Sequence, residues 1–213
     1  MWKKLLVSAL AVSMLILPVN SVSPASAEEA PAASQVYEYL PGRTPAQTSA
    51  AESMSPALHG LVLALMNQEA GSFTPTDREL VWEGLYNMLS LYGQLDWRGE
   101  AAEDTLLLPA ETVNDYAAAL NTSLEGLGAL PASLEDRLTF EPRENAFRAV
   151  CGEDGLSRIQ VDSQEKTAEG LLLTGALVYL PDGSDLVRFQ ALLQPRDNML
   201  GCAILELTIF EHG

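Results

Sequence analysis

GLLLTGALVYLPDGSDLVRFQALLQPRDNMLGCAILELTIF, residues 170–210, is three apolar runs separated by two turn-forming clusters, PDGSD at 181–185 and PRDN at 195–198. Runs of this length, rich in Leu, Val, Ile and aromatics and joined by Pro, Asp, Asn and Gly, predict consecutive antiparallel strands. Upstream, RLTF (137–140), AFRAV (146–150) and SRIQV (157–161) carry the same signature. Together they predict a meander of four to six strands over residues 137–210.

Alternation assigns side chains to faces. Val187, Phe189, Ala191 and Leu193 share one face, with Arg188, Gln190 and Leu192 on the other. A three-residue loop centred on Asp197 would set Arg188 opposite Glu206 and Leu192 opposite Cys202, with Cys202 and Ile204 on the mixed face. An Arg188–Glu206 pair stabilises by about 0.2–1 kcal/mol as an ordinary cross-strand ion pair. A two-residue turn at Asp182 and Gly183 would put Leu171, Leu173, Leu177 and Tyr179 on the Arg188 face. Both faces of that strand are then apolar, and a second helical layer, a homodimer or a ligand groove would cover the outer one. Leu173, Leu177 and Tyr179 are the candidate binding residues on this basis.

Two cysteines invite a disulfide. With Phe147 marking the core face, Cys151 points inward while Cys202 lies on the mixed face, which favours two thiols. Export and an even cysteine count favour pairing, and Gly152 and Gly201, each beside a cysteine, can mark bulges that reset the alternation. Both states stay open.

Helices precede the strands. The first is expected from Ser55 and Pro56 to Gly71, with Leu58, Leu61, Val62, Leu65 and Met66 as its stripe. The second follows a capping-box pattern at Thr76 and Glu79 and runs to Gly93, with Val81, Trp82, Leu85, Met88, Leu89 and Tyr92 on one side. A third is expected over 110–120, followed by a loop in TSLEGLGALPASLED, 122–136. The fold class is therefore α+β: N-terminal helices (55–121) packed on a C-terminal antiparallel meander (137–210), in a single domain over 55–213. This order is similar, in architecture only, to the cystatin-like and nuclear-transport-factor-like folds. The likeness rests on no shared motif and implies no function.

The N-terminus reads as a secretory signal. Lys3 and Lys4 precede an apolar stretch at 5–19, and Ala25-Ser26-Ala27 offers small residues for cleavage after Ala27. Residues 28–54, rich in Ala, Pro, Ser and Thr, read as a flexible tether. Cleavage would remove two of the 12 basic residues and none of the 29 acidic ones, taking the net charge from −17 to −19. So acidic a chain repels phosphate backbones, which excludes nucleic acid as partner. No apolar run after the signal is long enough to span a membrane. The localisation expected is secreted or extracytoplasmic.

Motifs for chemistry are sparse. The sequence holds no HExxH, CxxC, GxSxG or phosphate-cradling glycine loop, so no metal or cofactor is expected. His59 reads as a helix-surface residue and His212 as part of the chain end. The carboxylate clusters at Glu100, Glu103 and Asp104 and at Glu135 and Asp136 read as solvated surface. The function expected is a secreted, acidic, non-catalytic binding module acting on an extracellular or envelope partner. The alternative is a secreted enzyme using carboxylate acid/base chemistry, with Glu206 as acid or base beside Arg188 and Gln190.

Overall fold

The computed structural model describes residues 49–152 and 156–210; the signal and nearly all of the tether segment lie outside them, as does His212. The fold is α+β with antiparallel sheets, and the described strands form two sheets rather than one. Five α-helices are described: α1 (Ala50–Ser53), α2 (Ser55–Asn67), α3 (Arg78–Tyr92), α4 (Ala110–Ala119) and α5 (Leu124–Leu127). The strands are β1 (Ser72–Phe73), β2 (Glu100–Ala102), β3 (Thr105–Pro109), β4 (Leu138–Glu141), β5 (Ala146–Val150), β6 (Ser157–Lys166), β7 (Leu171–Tyr179), β8 (Asp185–Pro195) and β9 (Cys202–Phe210).

The expected meander is β6-β7-β8-β9, with β1 added at its end to give the order β1-β9-β8-β7-β6. RLTF and AFRAV do not join it. They become β4 and β5 of a second sheet, β2-β3-β5-β4. The helices supply the apolar layer between the sheets: α2 packs on β1, β6 and β9, α3 packs on β5, and α4 touches both sheets. Hence α2 is apolar almost all round, and α3 is buried on nearly every side with Glu83, Asn87 and Ser90 as its buried polar residues. Residues 80–90 of α3 are buried without interruption.

Helix α2 ends at Asn67, four residues before the Gly71 expected, and Asp77 caps α3 by accepting from the Leu80 amide at 3.2 Å, in place of Thr76. The end of the supposed tether is folded: Ser49 and Glu52 form a capping box for α1, and Met54 is wholly buried.

The α2–α3 crossing is set by glycine. A Cβ on Gly60 would lie 2.7 Å from the Gly84 carbonyl oxygen, and Asn87 Nδ2 donates to the Gly60 carbonyl at 3.0 Å. A backbone atom cannot swing aside, so Gly60→Ala should cost at least about 1 kcal/mol, read by urea unfolding. Unchanged stability would mean that the helices separate easily there.

Both expected strand registers are corrected. Tyr179 and Ser184 bracket a four-residue loop with Gly183 at φ 73°, and Leu186 then bulges out, so Leu177 pairs with Val187 and Leu173 with Ala191. Leu173 and Leu177 therefore face the core and are 0% exposed, and Tyr179 is half-buried; they are not the exposed binding surface expected. The β8–β9 loop has six residues between Pro195 and Cys202, with Gly201 at φ 75°. A bulge at Leu205 follows, so Ile204 pairs with Leu193 while Glu206 pairs with Leu192. One extra residue moves every side chain beyond it to the other face. That is how Cys202 comes to join the core cluster instead of the mixed face.

Cys151 and Cys202 are both free thiols, so the disulfide is absent. They belong to different parts of the fold: Cys151 follows β5, and Cys202 opens β9. Burial pushes the Cys202 thiol pKa up. Alkylation without reductant should label Cys151, half-buried, in the native chain and Cys202 only on unfolding. Labelling that requires reduction would contradict the structure.

Candidate functional site

The expected Arg188–Glu206 pair does not form. Arg188 is opposite Phe210, and its guanidinium pairs with Asp162 and, at 2.9 Å, with Asp185. Glu206 and Gln190 are both exposed, opposite Leu192 and Thr208 respectively. The group nearest to an acid/base site is thus an ion-pair cluster on the outer face of the meander.

His59 is the main departure from expectation: it is 0% exposed. Its Nδ1 lies 2.7 Å from the Tyr92 hydroxyl at the end of α3, and its Nε2 lies 2.9 Å from Ser157 Oγ at the start of β6. Burial lowers its pKa to about 4. The connectivity is that of a Ser–His relay, but a general base needs a pKa near the working pH, and an imidazole so acidic accepts a proton poorly. The arrangement suits a buried polar tie joining both long helices to the first strand of the meander.

Arg137, just before β4, makes the second tie. Its Nη1 and Nη2 donate to Glu83 Oε1 and Oε2 at 3.1 and 2.9 Å, and the guanidinium stacks 4.7 Å from the Tyr86 ring centroid. Glu79, Glu83, Ser133 and Arg137 line an open polar depression of about 510 Å³. A second one, about 430 Å³, holds Asn121, Thr122 and Ser123 beside Arg196 and Asn198. Both are shallow and polar, unlike the enclosed apolar clefts that hold small ligands. Among the described residues, no group of three or more His, Cys, Asp or Glu is placed to hold a metal ion, and no helix is long and apolar enough to cross a membrane.

The surface feature that stands out is Trp97, 89% exposed. It sits on a turn fixed from several sides. The Asp96 carboxylate accepts from the Arg98 amide at 3.0 Å and from its guanidinium at 2.9 and 2.8 Å, and Arg98 also reaches Asp115 at 2.6 Å. Burial pushes the Asp96 pKa up, and the hydrogen bonds from Arg98 more than reverse this, holding it below the usual carboxylate value. Gly99 closes the turn by donating to the Asp96 carbonyl at 3.1 Å. A Cβ there would lie 2.8 Å from Leu108, so the turn is seated directly on β3. Leu95 and Met199 are exposed nearby in the chain and across the Arg98 contact. Trp is enriched where one end of a side chain meets a partner, and an exposed one on a rigid turn loses little entropy on binding.

Comparison of the chain with protein-family models, with curated proteins and with solved structures gives no significant match.

Proposed function

We propose that the chain is an exported, acidic, non-catalytic binding module that acts outside the cell or at its envelope and meets its partner through the Trp97 turn. The observation that carries this is a large aromatic side chain left 89% exposed on a turn whose every other element is tied down. Binding energy concentrates in pre-organised anchors of this kind. The basic-to-acidic ratio and the signal-like N-terminus support an extracytoplasmic setting. The carboxylate-enzyme alternative has less to support it, because Arg188 pairs with Asp162 and Asp185 rather than with Glu206.

Trp97→Ala should leave the melting temperature unchanged, since so exposed a side chain contributes little to packing. It should also abolish co-purification of the envelope component that the wild-type chain and Glu206→Gln retain. Loss in Glu206→Gln with retention in Trp97→Ala would overturn the assignment.

A further inference from the structure

We infer that the partner presents an extended, basic segment, which adds as a strand to the free edge of β2 and lays a lysine or arginine over the Trp97 ring. This rests on Trp97 being the contact surface and names what the surface recognises.

Three observations converge on it. Among the described residues β2 is the end strand of the second sheet, bonded to β3 alone, so alternate backbone N–H and C=O groups face outward with no partner there. All three of its residues are exposed. Trp97 lies three residues before Glu100, within about 10 Å along the chain, so a short extended segment can reach both. Edge addition supplies main-chain hydrogen bonds, and the flanking side chains supply selectivity.

Charge selects the sign of the partner. Between Arg98 and Arg137 the sequence holds eight acidic residues and no lysine, arginine or histidine. Arg98 itself is consumed by Asp96 and Asp115. Glu100, Glu103 and Asp104 are exposed along the edge and its turn. These carboxylates keep a second copy of this acidic chain off the open edge, and they attract a cationic strand. The indole face, with no cation among the described residues placed over it, is the better aromatic platform for an ammonium or guanidinium group.

The test is calorimetry on the full chain with three probes: a short peptide alternating lysine and valine, its glutamate counterpart, and the lysine peptide N-methylated on alternate amides. The lysine peptide should bind and weaken steeply with salt, and the glutamate peptide should not bind. Trp97→Ala and N-methylation should each weaken binding about tenfold. Equal binding of the N-methylated peptide would overturn strand addition, and equal binding by Trp97→Ala would overturn the cation–ring contact. No binding of the lysine peptide, with the Trp97→Ala effect on co-purification intact, would overturn the basic partner while leaving the contact surface standing.

Discussion

Lowering the pH from 6.5 to 4 should cost the folded chain about 3 kcal/mol through His59 alone. The folded imidazole resists protonation until about pH 4, whereas in the unfolded chain it takes up its proton near 6.5. Between those values the unfolded state binds a proton that the folded state does not, so stability falls as pH falls through the window and levels off below it. Tyr92 and Ser157 face the ring from α3 and β6 at hydrogen-bond distance. The many carboxylates titrate as well, so the comparison that isolates His59 is with His59→Gln, which keeps a donor and an acceptor. Urea unfolding across the window should show the two curves converging as pH falls. Parallel curves would mean that His59 is solvated in the folded chain.

Arg137→Met should cost about 2–3 kcal/mol. The Glu83 side chain is nearly buried, and removing Arg137 leaves its charge without its bidentate partner. The value sits below that of a fully buried pair because Arg137 still reaches solvent. Adding Glu83→Gln should recover a good part of the loss, since the stranded charge goes with it. Additive losses in the double variant would show that the two side chains act independently. The Arg137 carbonyl, which neither substitution touches, accepts from Val150 of β5 at 2.8 Å, so the cycle reads the side-chain tie to α3 apart from the backbone pairing.

What was legible in the sequence follows from the range of the forces involved. Helices α2, α3 and α4 declare themselves through local periodicity, and β6 to β9 through apolar runs between turn clusters. β2 and β3 were not legible: EAAED reads as solvated surface, and TLLLP is too short to separate from a loop. Register failed for a different reason. Bulges at Leu186 and Leu205 obey no alternation, and each reversed a face assignment, which misplaced Leu173, Leu177 and Cys202. The six-residue loop before β9, longer than the three residues expected, together with the second bulge slid Glu206 along the same face from Arg188 to Leu192. The burial of His59 did have a signal: it is the one polar residue in ALHGLVLAL, 57–65, a stretch apolar on every side of the helix. Trp97 had a weaker one, the turn-forming DWRG that leaves no room for it in a core.

The most direct measurement is photo-crosslinking in the cell that makes the chain, with a photoreactive amino acid at position 97 and, as control, at position 206, both exposed. The account predicts a discrete adduct from position 97, carrying a lysine- or arginine-rich segment at the attachment point, and none from position 206. Adducts from position 206 alone, or from neither position, would contradict it.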